Sequence, residues 1–448
     1  MFTDFLSEIF SDNKEKDALI WQDKKYLYGF LLNAFREWRK ILDESGITKN
    51  AVILLEADFS PNALALMLAL IEHESIIVPM TASVKAKKAQ FSEIAQVEHI
   101  VSIDENDTVS FEKISRQADH DLLRQLKERR HPGLILFSSG STGKSKAALH
   151  DFAPLLEKFK TRRNAMRTLS FLLFDHIGGI NTLLHTLSNV GCVVTVQERS
   201  PENVCKAIER HKVQLLPTSP TFINLLLLSE AFRSYDLSSL ELVTYGTEVM
   251  PESTLKKFHE CFPNVRLLQT YGLSEIGIMR SKSESSSSLW VKIGGEGIET
   301  RIADGILQIK TPSAMLGYLN APSPFTPDGW FDTGDKVEIK NDYIRILGRE
   351  SEIINVGGEK VWPAEIEEVI QMMPGVEDVA VCGVKSPITG QMVQASVKLG
   401  TDETLSDFRK RMRSFCKDKL ASFKIPQKVI LTDYAFHGGR FKKMRIGN

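Results

Sequence analysis

Short apolar runs alternate along most of the chain with stretches whose apolar positions fall at helical spacing. AVILL from Ala51 predicts a buried strand. It leads to Ser60-Pro61, a hydroxyl at the N-cap and a proline whose fixed φ suits the first helical turn. The stretch ALALMLALI from Ala63 reads as a buried helix, and SIIVPM from Ser75 as a second buried strand. LILF at Leu134, VQLLPT at Val213, LELVTY at Leu240 and RLLQTY at Arg266 repeat the strand signal, with helical stretches between several of them. Such alternation predicts βαβ units, and hence an α/β body of largely parallel sheets covered by helices. SKSESSSS from Ser281 is of low complexity and predicts an exposed loop.

After Leu347 to Ser351 the pattern changes. Pro363 opens EIEEVIQMM, in which Ile366, Val369, Ile370 and Met373 share a helical face. VEDVAVCGV and VQASVKL read as strands, and Leu405, Phe408, Met412 and Phe415 mark another amphipathic helix. The expected organisation is a large N-terminal body over residues 1–349 and a small α+β module over residues 350–448.

A chain of 448 residues is long enough for two or three cores. Its 56 basic and 57 acidic residues nearly cancel, which argues against a nucleic-acid or polybasic membrane-surface role. No segment is apolar over the roughly 18 residues a membrane span needs. The acidic, charge-broken start is wrong for a secretory signal. Five scattered cysteines without CxxC spacing suit a reduced, cytoplasmic protein with no thiol-ligated zinc.

The chemistry concentrates in LILFSSGSTGKSKAAL, Leu134 to Leu149. A strand runs into Ser138, Ser139, Gly140, Ser141, Thr142, Gly143, Lys144, Ser145 and Lys146. Small residues let backbone N–H groups wrap an anion, hydroxyls add donors, and lysine adds positive charge. A triphosphate is the ligand this chemistry suits. The Walker phosphate loop is a rival reading: Gly143-Lys144-Ser145 fits its second half, but its first glycine would fall on Ser138.

Here the sequence resembles the adenylate-forming superfamily, which includes acyl-CoA synthetases, peptide-synthetase adenylation domains and firefly luciferase. Ser138 to Lys146 is similar to its S/T-S-G-S/T-T-G-x-P-K loop, with Ser145 in place of the proline. YGLSE (Tyr271 to Glu275) resembles Y-G-x-S/T-E, and GWFDTGD (Gly329 to Asp335) resembles W-x-x-T-G-D. Gly348 to Glu367 resembles the opening of the family's mobile C-terminal domain, and GGRFKKMR resembles its closing G-K-x-x-R.

The resemblance implies an ATP-dependent, AMP-forming ligase that activates a carboxylic acid as its adenylate and then makes a thioester. The phosphate loop would clamp the β- and γ-phosphates. Gly246-Thr247-Glu248 would lie along adenine, Tyr271-Gly272 would follow it with the tyrosine ring on its face, and Ser274 would approach the α-phosphate. Glu275 would hold Mg2+. Asp335 and Arg349 would bind the ribose. Lys442, chosen over Lys443 for its spacing to Arg445, would bridge the acid and the α-phosphate. Ser351 stands at the family's hinge, usually Asp or Lys, and Gly357-Gly358 resembles the loop lining the pantetheine tunnel.

Phe171 to Asn181 resembles the family's pocket entrance, with His176 as its gating residue. Phe174-Asp175 also resembles the F-D of amino-acid-activating members, so an acyl or aryl acid and an amino acid both stand as substrates. Only six residues follow Lys442, so free CoA or the phosphopantetheine of a separate carrier protein is the expected acceptor. A Walker-type phosphotransferase and a non-catalytic nucleotide-binding protein are the competing readings.

Overall fold

The computed structural model describes residues 2–139, 145–434, 436–438 and 441–445. Two seven-stranded sheets form most of the body. In the first, Val52–Glu56, Ile76–Met80 and His99–Ile103 run parallel beside Gly133–Ser139, to which Ser145–Asp151 pairs antiparallel. In the second, Arg167–Leu169, Cys192–Val194, Leu215–Thr218, Leu242–Tyr245 and Arg266–Gln269 are parallel.

Helices Tyr28–Glu44, Pro61–Glu72 and Ile177–Ser188 share one core with residues of both sheets, including Leu19, Ile53, Leu55 and Val193. Pro61–Glu72 is apolar all round because it is covered all round, and Ser60 caps it by accepting the Ala63 amide at 3.2 Å. Ala63 to Ile71 is buried without a break, so this helix contributes apolar area on all its sides to that core.

The alternation pattern misses a third sheet, six strands and wholly antiparallel, built from Arg280–Ser283, Val291–Gly294, Glu299–Ala303, Ile306–Lys310, Phe331–Lys340 and Tyr343–Arg349. Along Phe331–Val337 every second residue is buried, as expected of a sheet with one wet face. The serine-rich segment is therefore not simply an exposed loop. Arg280–Ser283 is a strand, Ser283 Oγ accepts the Gln269 amide at 2.8 Å and Ser286 Oγ accepts that of Leu267 at 3.2 Å. These hydroxyls satisfy an edge that would otherwise leave amide donors unpaired.

Residues from Ile354 onward build a separate core from five strands and the helices Pro363–Gln371 and Leu405–Cys416. Ile366, Ile370, Met373, Phe408 and Met412 are buried there, whereas Leu405 is turned out at 39% exposure. No helix of the described residues is long and apolar enough to cross a membrane. The five cysteines are unpaired.

Candidate active site

Several parallel strands end on one side of the body, where Ser138 lies near the segments that follow Tyr245 and Gln269, as is usual for ligand sites of open α/β sheets. A cavity of about 340 Å3 opens there. Its walls bring together Ser138, Lys146, His176, Thr247, Gly272, Ser274, Glu275, Arg349 and Lys442, from segments spread over three hundred positions of sequence. Gly140, Ser141, Thr142 and Gly143 lie outside the described residues, and of Ser139 only the strand backbone is described.

Glu275 sits in the two-residue-strand hairpin formed by Gly272–Leu273 and Gly277–Ile278. One carboxylate oxygen accepts the Tyr318 hydroxyl at 2.8 Å and the Ser138 hydroxyl at 3.3 Å. Both donors fall on Oε1, which orients the carboxylate across the cavity. The backbone at this hairpin runs too close for a side chain: a Cβ at Gly272 would lie 2.6 Å from the Gly277 carbonyl oxygen. Behind it, His150 Nε2 faces the Ser274 carbonyl at 2.6 Å, so that nitrogen carries the proton. Burial pushes this imidazole below its ordinary pKa, so it is neutral. His150 thereby fixes Ser274 from beneath. Sequence reading nominated neither Tyr318 nor His150, because a single tyrosine or histidine in a strand carries no local signature.

Tyr271 and Asp335 are both buried and joined, Tyr271 Oη donating to Asp335 Oδ2 at 2.7 Å. Arg349 Nε stands 3.5 Å from the other carboxylate oxygen. Burial raises the Asp335 carboxyl, while Arg349 and the tyrosine hydroxyl oppose that rise. Neither Tyr271 nor Asp335 is among the residues lining the cavity; their neighbours Gly272, Thr333 and Gly334 are. The tyrosine ring belongs to a core with Ala148, Ile276 and Phe331.

The Gly246-Thr247-Glu248 segment divides its tasks. Thr247 lines the cavity and takes a φ of +74°. Gly246 passes so near Thr270 that a Cβ would lie 2.8 Å from its hydroxyl oxygen. The Glu248 carboxylate turns away, one oxygen accepting the Thr221 amide at 2.7 Å and the other the Lys443 amide at 2.9 Å.

The two candidate lysines separate cleanly. Lys443 Nζ lies 3.1 Å from Asp378 and donates to the Val379 carbonyl at 2.9 Å, inside the C-terminal module. Arg445 is held by Glu367 and Glu352, each at 2.8 Å. On the other side, the Phe441 carbonyl accepts the Ser219 hydroxyl at 2.6 Å, and its ring packs on Phe171 and Phe222. Phe441 takes a φ of +47°, unfavourable for a residue with a Cβ, and these anchors hold it there. Lys442, between the anchors, lines the cavity. Burial and then the Arg349 guanidinium lower its pKa, so an anion placed beside it would be strongly welcome.

His176 caps helix Ile177–Ser188 by accepting the Gly178 amide at 3.0 Å, and it lines the cavity wall. Asp175 beside it is buried and accepts the Thr81 hydroxyl at 3.1 Å. The Gly357-Gly358 turn, with φ of +62° and +95°, is not part of the cavity. Ser351 is, at the end of the crossing from body to module.

The family described as AMP-binding enzyme matches residues 7–319, and the AMP-binding enzyme C-terminal domain matches residues 365–436. The chain is 26% identical to the putative acyl–CoA ligase YdaB of Bacillus subtilis, over 98% of this chain and 96% of that protein. It is 28% identical to an indoleacetate–CoA ligase of Aromatoleum aromaticum, over 67% of this chain and 64% of that protein. Among solved structures, the anthranilate CoA ligase AuaEII in complex with anthranoyl-AMP superposes with a TM-score of 0.83 at 19% identity, covering 99% and 95% of the two chains. The o-succinylbenzoate CoA synthetase of Bacillus subtilis, holding its acyl-adenylate, superposes with a TM-score of 0.77 at 20% identity, covering 98% and 96%.

Proposed function

Since this chain belongs to the AMP-binding enzyme family, we propose that it joins a carboxylic acid to ATP as an acyl-adenylate and then passes the acyl group to the thiol of CoA. The enzyme is an AMP-forming acid–thiol ligase of the acyl-CoA synthetase type. The observation that carries the mechanism is the single cavity shared by Ser138, Lys146, Glu275, Arg349 and Lys442.

In the first half-reaction a carboxylate oxygen of the acid attacks the α-phosphorus, and the bond to the bridging oxygen of pyrophosphate breaks. Two anions must meet, so positive charge and positioning carry the catalysis. Lys442 neutralises the acid carboxylate and the α-phosphate together. Lys146 and the Ser138 hydroxyl hold the departing phosphates. Ser274 meets the α-phosphate from the hairpin. Arg349 and Asp335 take the ribose, with Tyr271 exchanging its hydrogen bond as the ribose hydroxyls arrive. The adenine lies between Thr247 and Gly272.

Among the described residues no cluster of three or more histidine, cysteine or carboxylate side chains forms a metal cage. One carboxylate, Glu275, is what a magnesium ion shared with a triphosphate asks of a protein. The residues present therefore fit Mg2+, which when bound neutralises phosphate charge.

In the second half-reaction the thiolate attacks the acyl carbonyl and AMP leaves. Glycines 357 and 358 line the thiol's path once the module, which begins at residue 350, has turned about Ser351. His176 gates the acid pocket. An acyl or aryl acid suits the site better than an amino acid, because the Asp175 carboxylate is buried against Thr81 and does not line the cavity. A carrier-protein phosphopantetheine is the second candidate acceptor.

Pyrophosphate exchange into ATP that depends on one acid, followed by mass-spectrometric detection of its CoA thioester and AMP, tests the reading. ADP as the product would overturn it.

A further inference from the structure

Next to the cavity, sharing Leu172, His176, Thr247 and Gly272 with it, lies a chamber of about 30 Å3. Gly178 on one helix and Ile278 on the hairpin close it. Directly behind that wall stands Lys158. Its ammonium donates to the Ile278 carbonyl at 3.0 Å and to Asn181 Oδ1 at 2.5 Å, one helical turn beyond Gly178. From the His176 cap to Asn181 the helix advances five residues, about 7.5 Å. Lys158 lines neither space itself, but the carbonyl it touches belongs to Ile278, on the chamber wall.

That ammonium has no carboxylate partner among the described residues. Burial, and then the positive charges of Arg163 and Arg280, together push it down to about 8. His185, on the same helix face one turn past Asn181, is pushed down to about 4 by burial and then by Arg163 and Lys158. No acidic group acts on either of them. Two buried cations of the C-terminal module are paired, Lys443 with Asp378 and Arg445 with Glu352 and Glu367, whereas Lys442, like Lys158, has no ion pair among the described residues. An uncompensated, partly buried lysine costs stability unless something else supplies the negative charge. One of its three N–H groups has no protein acceptor among the described residues. The chamber whose Ile278 wall this ammonium touches shares four lining residues with the cavity that holds Lys442.

We propose that the acid activated here carries a second, distal carboxylate, and that Lys158 recognises it with Arg163 and Arg280 supplying the surrounding positive field. This rests on the adenylating reading above and names its substrate class: a short dicarboxylic acid, activated at one end. The proximal carboxylate meets Lys442 and the distal one is drawn to the far wall. Lys158 is then a specificity-determining residue, and its charge selects against acids that end in a methyl group.

The test is pyrophosphate exchange with length-matched pairs, butanoate against succinate and pentanoate against glutarate, on wild type, Lys158→Met, Lys158→Arg and Arg280→Ala. The wild type is expected to favour a dicarboxylate over its partner at least tenfold in kcat/KM, mainly through KM. Lys158→Met is expected to erase that ratio, Lys158→Arg to restore part of it and Arg280→Ala to weaken it severalfold. Thermal melts identify a variant that has not folded, in which case Arg280→Ala, on the surface, carries the comparison. Equal or better exchange with the monocarboxylates overturns this inference while leaving the adenylating reading intact. So does a raised KM for CoA in Lys158→Met with an unchanged acid ratio, which would assign the cluster to a CoA phosphate. Exchange with no acid at all overturns the adenylating reading, and this inference with it.

Discussion

The Glu248 carboxylate joins two amides that are 222 positions apart, accepting Thr221 at 2.7 Å and Lys443 at 2.9 Å. It caps the start of helix Pro220–Ser229 and, through its other oxygen, fixes the backbone immediately after Lys442. Glu248→Ala removes both acceptors at once. We expect adenylation kcat to fall at least tenfold while KM for ATP changes less than threefold, as suits a residue that positions Lys442. A Glu248→Ala enzyme with a strongly raised ATP KM and normal kcat would assign this side chain to the nucleotide instead.

Lys442 and Lys443 should separate by the kind of damage each does. Lys442→Ala is expected to lower pyrophosphate exchange by at least about 100-fold, the scale of removing one group that stabilises developing charge. Its melting temperature should stay near wild type, since burial strains the ammonium that is removed. Lys443→Ala strands the Asp378 carboxylate and should destabilise the C-terminal module by about 3–5 kcal/mol, read by denaturant unfolding. The reverse pattern would exchange their roles.

Tyr318→Phe removes the shorter of the two hydrogen bonds on Glu275 and leaves the carboxylate free to turn. The Mg2+ concentration giving half-maximal exchange should rise severalfold, with Glu275→Gln abolishing measurable turnover. An unchanged Mg2+ dependence in Tyr318→Phe would sever this tyrosine from the metal site.

Lys158 has a pH signature in folding. Its folded pKa of about 8 lies below the ordinary 10.5, so between those values the unfolded chain binds more protons than the folded one. Stability contributed by this group therefore rises with pH across the window. The groups facing it are Arg163 and Arg280, charged throughout, and His185, neutral throughout. Lys158→Met should melt higher than wild type at pH 7.5, and the gap should shrink by pH 10.5. A gap that widens with pH would contradict the sign.

What the sequence made legible was local. Ser60-Pro61 announces its helix because the N-cap bond is made three residues away, and the parallel strands announce themselves because burial on both faces leaves an unbroken apolar run. The loop motifs nominated some of the residues that line one cavity, Ser138, Lys146, Glu275 and Arg349 among them, since each motif is contiguous in the chain. The Ser-rich strand was missed because its hydrogen bonds are made to Gln269 and Leu267, set by tertiary register and not by its own composition. Tyr318 and Lys158 carry no local signature, and Glu248, expected along adenine, instead holds the amides of Thr221 and Lys443, partners set by the fold. Tyr271 and Asp335 stand next to cavity-lining neighbours, but each faces the other and neither lines the cavity.

The anchors around Lys442 sort into two sets with different fates. Arg445 with Glu367, and Lys443 with Asp378, lie within the C-terminal module and would travel with it. The bonds from Ser219 to Phe441, from Glu248 to Lys443 and from the Glu252 amide to Glu368 cross to the body, and any turn about Ser351 must break them. Phe441 would then be free to leave its left-handed backbone state. If Lys442 acts as proposed and the module turns for the second half-reaction, the same turn would release the backbone strain stored at Phe441.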